Sequence, residues 1–395
     1  MPVSSPNRLV CVAAIIFVLS SIAIAQHDRG GMVGGTTERS SKPATKPKTT
    51  ATKPAATTPK RRTTPAPVRA RTTPATTVSA DNYYQQAEAL YNAKKYSEAL
   101  DLYIKATEIN PSMAGAFYRI GWIYNDLEDY NSAIDPIKRT IALQPNNAAA
   151  HYELGYAFLK LQRYDDAAIA FRETVRLKPN YDTAHYELGW IYNDQSNFAE
   201  AIKSLKQALS YRSDYVEAHA ELAYALRHLG RSAEAVQEYQ EALRLKPDYA
   251  LAYFGLGDVY YYNTKQCADA ANAYRQGLQR QPNNAVARYN IAWCYNDQQR
   301  YNEAIAELTK AIELQPNNPE AYNELGYAFH HTGRFGEAIK NYRIAVQQKP
   351  DYSLAHYNLA LSFLSMQNRP AVMQQYRILQ RLDRARAAQL FNQIR

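Results

Sequence analysis

Apolar residues between positions 148 and 181 recur three and four apart in two blocks, residues 152–158 and 167–175. This spacing predicts two amphipathic helices, since residues three and four apart share one face of a helix. Residues 160–164 form a turn between the blocks, and Pro179 ends the second helix because proline cannot continue one. The predicted unit is a helical hairpin of 34 residues, which cannot bury both of its apolar faces alone.

The same pattern returns along the chain at intervals of 34 residues, with a single interval of 35 between Pro247 and Pro282. Ser213 stands where one further closing proline would fall. The closing prolines are Pro111, Pro145, Pro179, Pro247, Pro282, Pro316 and Pro350. The small residues of the first helices are Ala87, Gly121, Gly155, Gly189, Ala223, Gly257, Ala292, Gly326 and Ala360. The alanines of the second helices are Ala99, Ala133, Ala167, Ala201, Ala235, Ala270, Ala304 and Ala338.

Small, alanine and proline residues at these spacings resemble the tetratricopeptide repeat family. The resemblance covers roughly residues 80–382 and predicts an all-α fold, an α-α superhelix (solenoid) of about nine hairpin repeats. We assign residues 81–382 to the repeats and residues 383–395 to a C-terminal capping helix with a polar face. The resemblance implies a right-handed superhelix whose inner groove is lined by the first helix of each pair.

Three irregularities interrupt the repeats. Pro136 is expected to kink or delay the second helix of the second repeat. The extra residue of the sixth repeat is expected in the turn over residues 263–267, where a longer loop costs little. In the ninth unit Pro370 opens the second helix, and residues 379–394 are expected to continue as helix.

The first 25 residues predict a secretory signal peptide. Arg8 precedes an apolar run over residues 9–23, and small residues at 23–25 suit cleavage after Ala25. A run of 15 residues is short for a membrane span. We therefore expect an exported protein, periplasmic or secreted.

Residues 26–80 predict a disordered linker, because fourteen Thr and seven Pro leave almost no large aliphatic residue to form a core. Eleven Lys and Arg face only Asp28 and Glu38, so this segment carries the whole net charge of +9 of the chain. Two interpretations stay open. The segment is a solvated tether, or it binds an anionic surface such as lipid headgroups or wall polymer. No specific nucleic acid partner is expected.

The fifth and ninth residues of each first helix are expected to face the groove. Thirteen of these eighteen positions are aromatic and include every tryptophan of the chain. The fifth-position candidates are Tyr84, Tyr118, Tyr152, Tyr186, Phe254, Tyr289 and Tyr357. The ninth-position candidates are Trp122, Tyr156, Trp190, Tyr224, Trp293 and Tyr327. Each Trp precedes an Asn-Asp pair expected on the same face: Asn125 and Asp126, Asn193 and Asp194, Asn296 and Asp297.

These patterns indicate a scaffold that binds an extended peptide or a partner protein in its groove. The alternative is a glycan or cell-wall polymer bound by the Trp-Asn-Asp positions. A third interpretation is that the rings only fill gaps between helices. Members of the family that clamp a carboxylate have Lys and Asn at the inner positions, so this sequence is not expected to be such a clamp. Each tryptophan repeat is followed by a Glu-Leu-Gly-Tyr or Glu-Leu-Ala-Tyr repeat, which indicates duplicated double repeats.

No catalytic, metal or cofactor motif is found in the sequence, so we do not expect an enzyme. His151, His185, His219 and His356 occupy one repeat position and are interpreted as copies of a packing site. Cys267 and Cys294 lie in neighbouring helices. Whether they form a disulfide or remain buried thiols is left open.

Overall fold

A computed structural model of the chain describes residues 78–394. The predicted signal peptide and all but the last residues of the predicted linker lie outside the described part. Within it, nine hairpins follow one another. Their first helices are α1 (Ala80–Asn92), α3 (Ala114–Asp126), α5 (Ala148–Lys160), α7 (Asp182–Asp194), α9 (Val216–His228), α11 (Ala250–Asp258), α13 (Ala285–Asp297), α15 (Pro319–His331) and α17 (Ser353–Ser365). Their second helices are α2 (Tyr96–Ile109), α4 (Tyr130–Leu143), α6 (Tyr164–Leu177), α8 (Phe198–Tyr211), α10 (Ser232–Leu245), α12 (Cys267–Arg280), α14 (Tyr301–Leu314), α16 (Phe335–Gln348) and α18 (Arg369–Leu382), and α19 (Arg384–Ile394) follows them.

Each first helix packs against the second helix of its own hairpin at the small residue that the sequence marks. A Cβ atom built on Gly189 would lie 2.4 Å from Cγ of Leu205, and one on Gly121 would lie 2.3 Å from Cγ1 of Ile137. Non-bonded carbon atoms essentially never approach so closely, because their optimal separation is about 3.5–4.0 Å. The absence of a side chain therefore lets a large residue of the second helix fill the crossing.

The turn inside each hairpin has one shape throughout. It places one residue in the left-handed region, with φ between 57° and 76°. Only Gly230 and Gly333 are glycines there, and the other seven residues adopt a conformation that glycine tolerates more easily. The nine residues are Lys94, Glu128, Gln162, Ser196, Gly230, Lys265, Gln299, Gly333 and Gln367.

The first helices line the inner side of the stack. Direct contacts join α3 to α5, α7 to α9, α9 to α11, α13 to α15 and α15 to α17. No comparable contact joins two second helices within residues 78–394. Since the helices on the inside of a curved stack lie closer together, the first helices form its concave face. The predicted all-α solenoid of about nine hairpin repeats is confirmed.

The extra residue of the sixth repeat lies one helical turn earlier than predicted. Val259–Thr264 is a π-helix that continues α11, and a π-turn accommodates one residue more than an α-turn. Lys265 keeps the left-handed conformation of the other turns, and the amide of Gln266 donates to the carbonyl of Tyr260 at 2.8 Å. The turn is therefore preserved, and the helix before it absorbs the insertion.

Two other expectations about helix ends are corrected. Helix α4 is not delayed, because it begins at Tyr130, as its counterparts do, and contains Pro136 in its interior. The C-terminal segment is not one continuous helix. It breaks at Asp383, whose backbone is extended and whose carboxylate accepts from the amide of Arg386 at 3.1 Å, capping α19. Pro370 lies at the start of α18, as predicted.

Helix caps are formed where asparagine directly precedes a first helix. The side chains of Asn147, Asn284 and Asn318 each accept from a backbone amide three residues further on, at 2.9–3.0 Å. Asp248 and Asp351 do not cap, since a tyrosine occupies the cap position one residue later. A side chain placed one residue early cannot reach the free amides of the first turn.

Both cysteines of the repeats are free thiols. Cys294 is buried, and Cys267 is half-buried against the same core cluster. Among the helices within residues 78–394, none combines the length and the apolar character needed to cross a membrane.

Candidate functional site

Seven of the nine fifth residues of the first helices are aromatic and lie along the inner side; Ala220 and Asn323 are the exceptions. Tyr186 and Phe254 are buried, and the other aromatic fifth residues are half-buried. Tyr152 stacks on Tyr181 with ring centres 4.9 Å apart, and Tyr186 meets Tyr215 at 4.7 Å. Each pair joins a first helix to the residue that opens the next first helix. These contacts therefore connect successive repeats. Tyr152 remains half-buried at the inner side, whereas Tyr186 is covered.

The ninth residues meet the preceding repeat. The Trp122 ring lies edge-on to Tyr96, the first residue of α2, with ring centres 5.5 Å apart. Trp190 meets Tyr164, the first residue of α6, in the same way at 5.6 Å. Trp293 lies edge-on to Tyr261 at 5.2 Å. All three tryptophans are half-buried, so one part of each ring packs and another part reaches the surface.

The asparagines of the tryptophan motifs lie between first helices. The Nδ2 group of Asn125 donates to the carbonyl oxygen and to Oε2 of Glu153 in the next repeat, at 3.0 and 2.8 Å. Asn193 makes the same two bonds to Glu221 at 3.0 and 2.8 Å. Asn296 makes them to a third glutamate, that of the next Glu-Leu-Gly-Tyr motif, at 3.2 and 3.1 Å. An asparagine–glutamate pair thus joins the two halves of each double repeat.

This geometry corrects the expectation that Trp, Asn and Asp face a ligand together. The three asparagines are at most 5% exposed, because the twelfth residue of a first helix points at the neighbouring first helix. The aspartates that follow them keep the predicted place. Asp194 and Asp297 are exposed, and Asp126 is half-buried. The inner surface therefore offers rings and carboxylates, whereas the asparagine amides are committed to packing.

The four equivalent histidines are structural, as interpreted from their spacing. The Nε2 atoms of His151, His185 and His356 lie 2.8–3.0 Å from the carbonyl oxygens of the closing prolines six residues earlier. His219 makes the same contact to Ser213, the residue that replaces a proline. Among residues 78–394, no group of His, Cys, Asp or Glu is arranged to hold a metal ion.

One recurrent contact escaped the sequence analysis. At four turns between repeats, a Lys or Arg lies over the ring of the tyrosine three residues later. Arg212 lies 3.5 Å from the ring centre of Tyr215, and Lys178 lies 5.0 Å from that of Tyr181. Lys246 with Tyr249 and Lys349 with Tyr352 repeat the arrangement at 5.4 and 5.0 Å. The spacing of a cation and a tyrosine three apart, present four times, is the signal that could have revealed it.

Burial and nearby carboxylates raise the pKa of two tyrosines on the inner side. Burial, then Glu153 and Asp182, raise the pKa of Tyr181 to about 12. Burial, followed by Glu187 and Glu153, raises the pKa of Tyr152 well above its ordinary value. These hydroxyls therefore stay protonated at any physiological pH and can donate hydrogen bonds.

Family models agree with the architecture. A tetratricopeptide repeat model matches residues 84–143, 118–182 and 186–250, a second one matches residues 273–306, and a TPR repeat model matches residues 294–333 and 329–367. Together they cover well over half of the chain. The chain belongs to the tetratricopeptide repeat family. Membership of this family supports a role in protein–protein interaction in general.

Several solved structures are similar to this chain at low sequence identity. The C-terminal part of a TPR repeat-containing protein from Cytophaga hutchinsonii is 19% identical, with a TM-score of 0.51, over 61% of this chain and 99% of that chain. YrrB, described as a TPR protein with an unusual peptide-binding site, is 20% identical, with a TM-score of 0.43, over 47% of this chain and 95% of that one. MamA is 23% identical, with a TM-score of 0.41, over 43% and 93%. A comparison with curated proteins finds no match.

Proposed function

We propose that this protein is an exported, non-enzymatic scaffold whose concave face holds an extended segment of a partner protein. The observation that carries the proposal is a set of half-buried rings at the fifth or ninth position of eight of the nine described first helices, all except α11, from Tyr84 to Tyr357. Tyrosine and tryptophan offer apolar contact area and a polar edge at little cost in conformational entropy, which is why they dominate binding surfaces.

The spacing of the rings favours an extended ligand over a compact one. Each first helix contributes its fifth and ninth residues, so the surface repeats from one helix to the next along the stack. An extended peptide exposes side chains at regular intervals and can place them between such rings. A glycan would also stack on the tryptophans, but the asparagine amides that would orient its hydroxyls are bound to glutamates instead.

Export and attachment remain part of the proposal. The predicted signal peptide over residues 1–25 supports export, and the net charge of +9 on residues 26–80 suits an anionic surface. We expect the full chain to co-sediment with anionic vesicles or wall material at low salt, and to be released as the Debye length falls below about 8 Å. Equal binding after deletion of residues 26–80 would limit that segment to a spacer.

The groove is tested by truncating Trp122 and comparing it with Phe117. Both rings are half-buried in α3, but Phe117 lies toward Arg139 of α4, with 6.0 Å between the guanidinium carbon and the ring centre. Partner proteins are captured from the native extract with the full chain, and affinities are then measured for Trp122→Ala and Phe117→Ala. We expect about tenfold weaker binding, or 1.4 kcal/mol, for the tryptophan variant alone.

Melting temperatures separate binding from packing. The edge-on contact of Trp122 with Tyr96 means that Trp122→Ala loses some stability, and Phe117→Ala provides the scale for a half-buried ring. If Trp122→Ala melts far below Phe117→Ala yet binds its captured partner normally in the cold, the rings are packing elements and the groove proposal is wrong.

A further inference from the structure

Charge is divided unequally between the two kinds of helix. The nine second helices carry as many Lys and Arg as Asp and Glu, sixteen of each. The nine first helices carry thirteen carboxylates against four cations, Arg119, Lys160, Arg227 and Arg288, a net charge of −9. Their carboxylates are Asp81, Glu88, Asp126, Glu153, Asp182, Glu187, Asp194, Glu217, Glu221, Asp258, Asp297, Glu320 and Glu324. The helices that form the concave face are thus strongly acidic, although residues 81–395 together are almost neutral.

The cations on these helices neutralise little of that charge. Arg119 pairs with Glu88 at 2.9 Å, and Arg227 lies 3.9 Å from Asp258. Arg288 pairs outward, with a glutamate of a second helix. Two cations of the turns between repeats, Arg212 and Lys349, also pair with Asp182 and Glu320, at 2.7 and 3.0 Å. Six cations still cannot offset thirteen carboxylates, and a groove of one sign concentrates ions of the other.

Hydrogen-bond acceptors also outnumber donors at the junctions of the double repeats. Asn125, Asn193 and Asn296 use their amide groups on glutamates, and their Oδ1 atoms are buried with no hydrogen-bond partner in the described part of the chain. Each junction thus combines a glutamate with an unsatisfied carbonyl oxygen. These buried oxygens do not contact a ligand themselves, but they add partial negative charge beneath the concave face.

The inner rings already receive cations. The guanidinium of Arg119 lies 4.1 Å from the ring centre of Tyr91, and the ammonium of Lys160 lies 5.3 Å from that of Tyr156. An aromatic face with carboxylates nearby attracts a positive side chain both through the ring and through charge.

From these observations we infer that the segment held by the concave face is a cationic one, an extended peptide with lysine or arginine at regular intervals. The inference rests on the proposed peptide-binding function and specifies its ligand. Rings contact the aliphatic stems of such side chains, and carboxylates such as Asp194 and Asp297 receive their charged ends.

The test uses the full chain and three labelled synthetic peptides of equal length, Pro-containing and identical except that every third residue is Lys, Ser or Glu. We expect the Lys peptide to bind at least tenfold more tightly than the Ser peptide at low salt. The Glu peptide is expected to bind residues 26–80 instead of the groove, so Trp122→Ala should leave its binding unchanged. Substituting Asp126, Asp194 and Asp297 together by Asn is expected to reduce binding of the Lys peptide about tenfold.

A matched variant changes three exposed aspartates of second helices, Asp101, Asp135 and Asp269, to Asn. It has the same net charge as the groove variant, so any difference in peptide binding between the two variants comes from the position of the removed carboxylates. We expect it to bind the Lys peptide as the unmodified chain does. Equal weakening by both variants would mean that only the total charge matters, and would overturn the inference.

The outcomes separate this inference from the proposed function. If all three peptides bind equally and Trp122→Ala weakens each of them, the groove binds peptides without charge preference and only the inference falls. If the Lys peptide binds but neither Trp122→Ala nor the triple groove variant weakens it, the peptide binds elsewhere, and the proposed function fails with the inference.

Discussion

The first and second helices of the hairpins are similar in length and pack against each other, yet they differ in what their outer surfaces do. Successive first helices contact one another through pairs such as Asn193 and Glu221, whereas second helices within residues 78–394 make no comparable contacts with one another. First helices also hold the candidate rings and a net charge of −9, and second helices are neutral overall. The first helix of each repeat therefore holds neighbouring repeats together and also carries the candidate binding surface. Substitutions in the two kinds of helix should affect stability and binding differently.

The largest effect is expected where the two kinds of helix cross. Replacing Gly189 by Leu forces a branched side chain into the position 2.4 Å from Cγ of Leu205, which costs about 3 kcal/mol or more. Gly336, in a second helix, has no neighbouring atom within 4 Å of the position that a Cβ would take, so Gly336→Ala is expected to be neutral or slightly stabilising. Denaturant unfolding measures both variants.

Hydrogen exchange shows how far the damage of Gly189→Leu extends. Because each repeat touches only its neighbours, protection is expected to fall mainly in α7, α8 and the helices beside them. An equal loss of protection in all nine repeats would contradict the solenoid as a chain of nearest-neighbour contacts.

The next effect depends on pH. His228, at the end of α9, stacks on Phe198 of α8 with ring centres 4.6 Å apart, and Arg227 donates to its Nε2 at 3.0 Å. Burial, and then the charge of Arg227, lower the pKa of His228 to about 4. The unfolded chain takes up the proton near the ordinary value of about 6.5, so the folded state favours neutral histidine.

The contribution of neutral His228 to the free energy of unfolding is therefore fully present above a pH of about 6.5. As the pH falls toward 4, the free energy of unfolding decreases by about 2–3 kcal/mol. The variant His228→Asn should lose less stability than the unmodified chain over that interval. Urea midpoints at several pH values measure the difference. Parallel curves for the two proteins would show that this histidine does not titrate differently on folding.

A smaller effect is expected at the junction inside a double repeat. Asn193→Leu leaves the carboxylate of Glu221 without its buried amide donor and should cost about 1–3 kcal/mol. Changing both residues to Leu should cost less than the sum of the single changes, because neither polar group is then left unpaired. Additive costs would show that the bond contributes nothing of its own.

The smallest effect on stability is expected at the start of a first helix, where two helices with similar preceding sequences can be compared. Asn147 caps α5 through the amide of Ala150 at 3.0 Å, so Asn147→Ala is expected to cost about 1 kcal/mol. Asp248 stands in the equivalent stretch but makes no cap, and Asp248→Ala should change the melting temperature hardly at all. If Asp248→Ala lowered the melting temperature more than Asn147→Ala does, the cap of α11 would lie one residue earlier than in the structure.

The sequence by itself determined the repeat, the hairpin and the number of units. Apolar residues three and four apart, a small residue in each first helix and a proline after seven of the nine second helices are local signals, and each repeat contacts only its neighbours. The shared role of His151 and His185 could also be read from spacing alone, since both bind a carbonyl six residues away.

Only the tertiary structure decided which side chains of a first helix meet the next repeat. Asn193 and Asp194 are adjacent in sequence, yet the first is buried against Glu221 and the second is exposed. Helical periodicity places both near the tryptophan, but the angle between neighbouring repeats determines which one is covered. The insertion in the sixth repeat was likewise placed by packing, because the turn at Lys265 keeps its shape and the π-helix before it absorbs the extra residue.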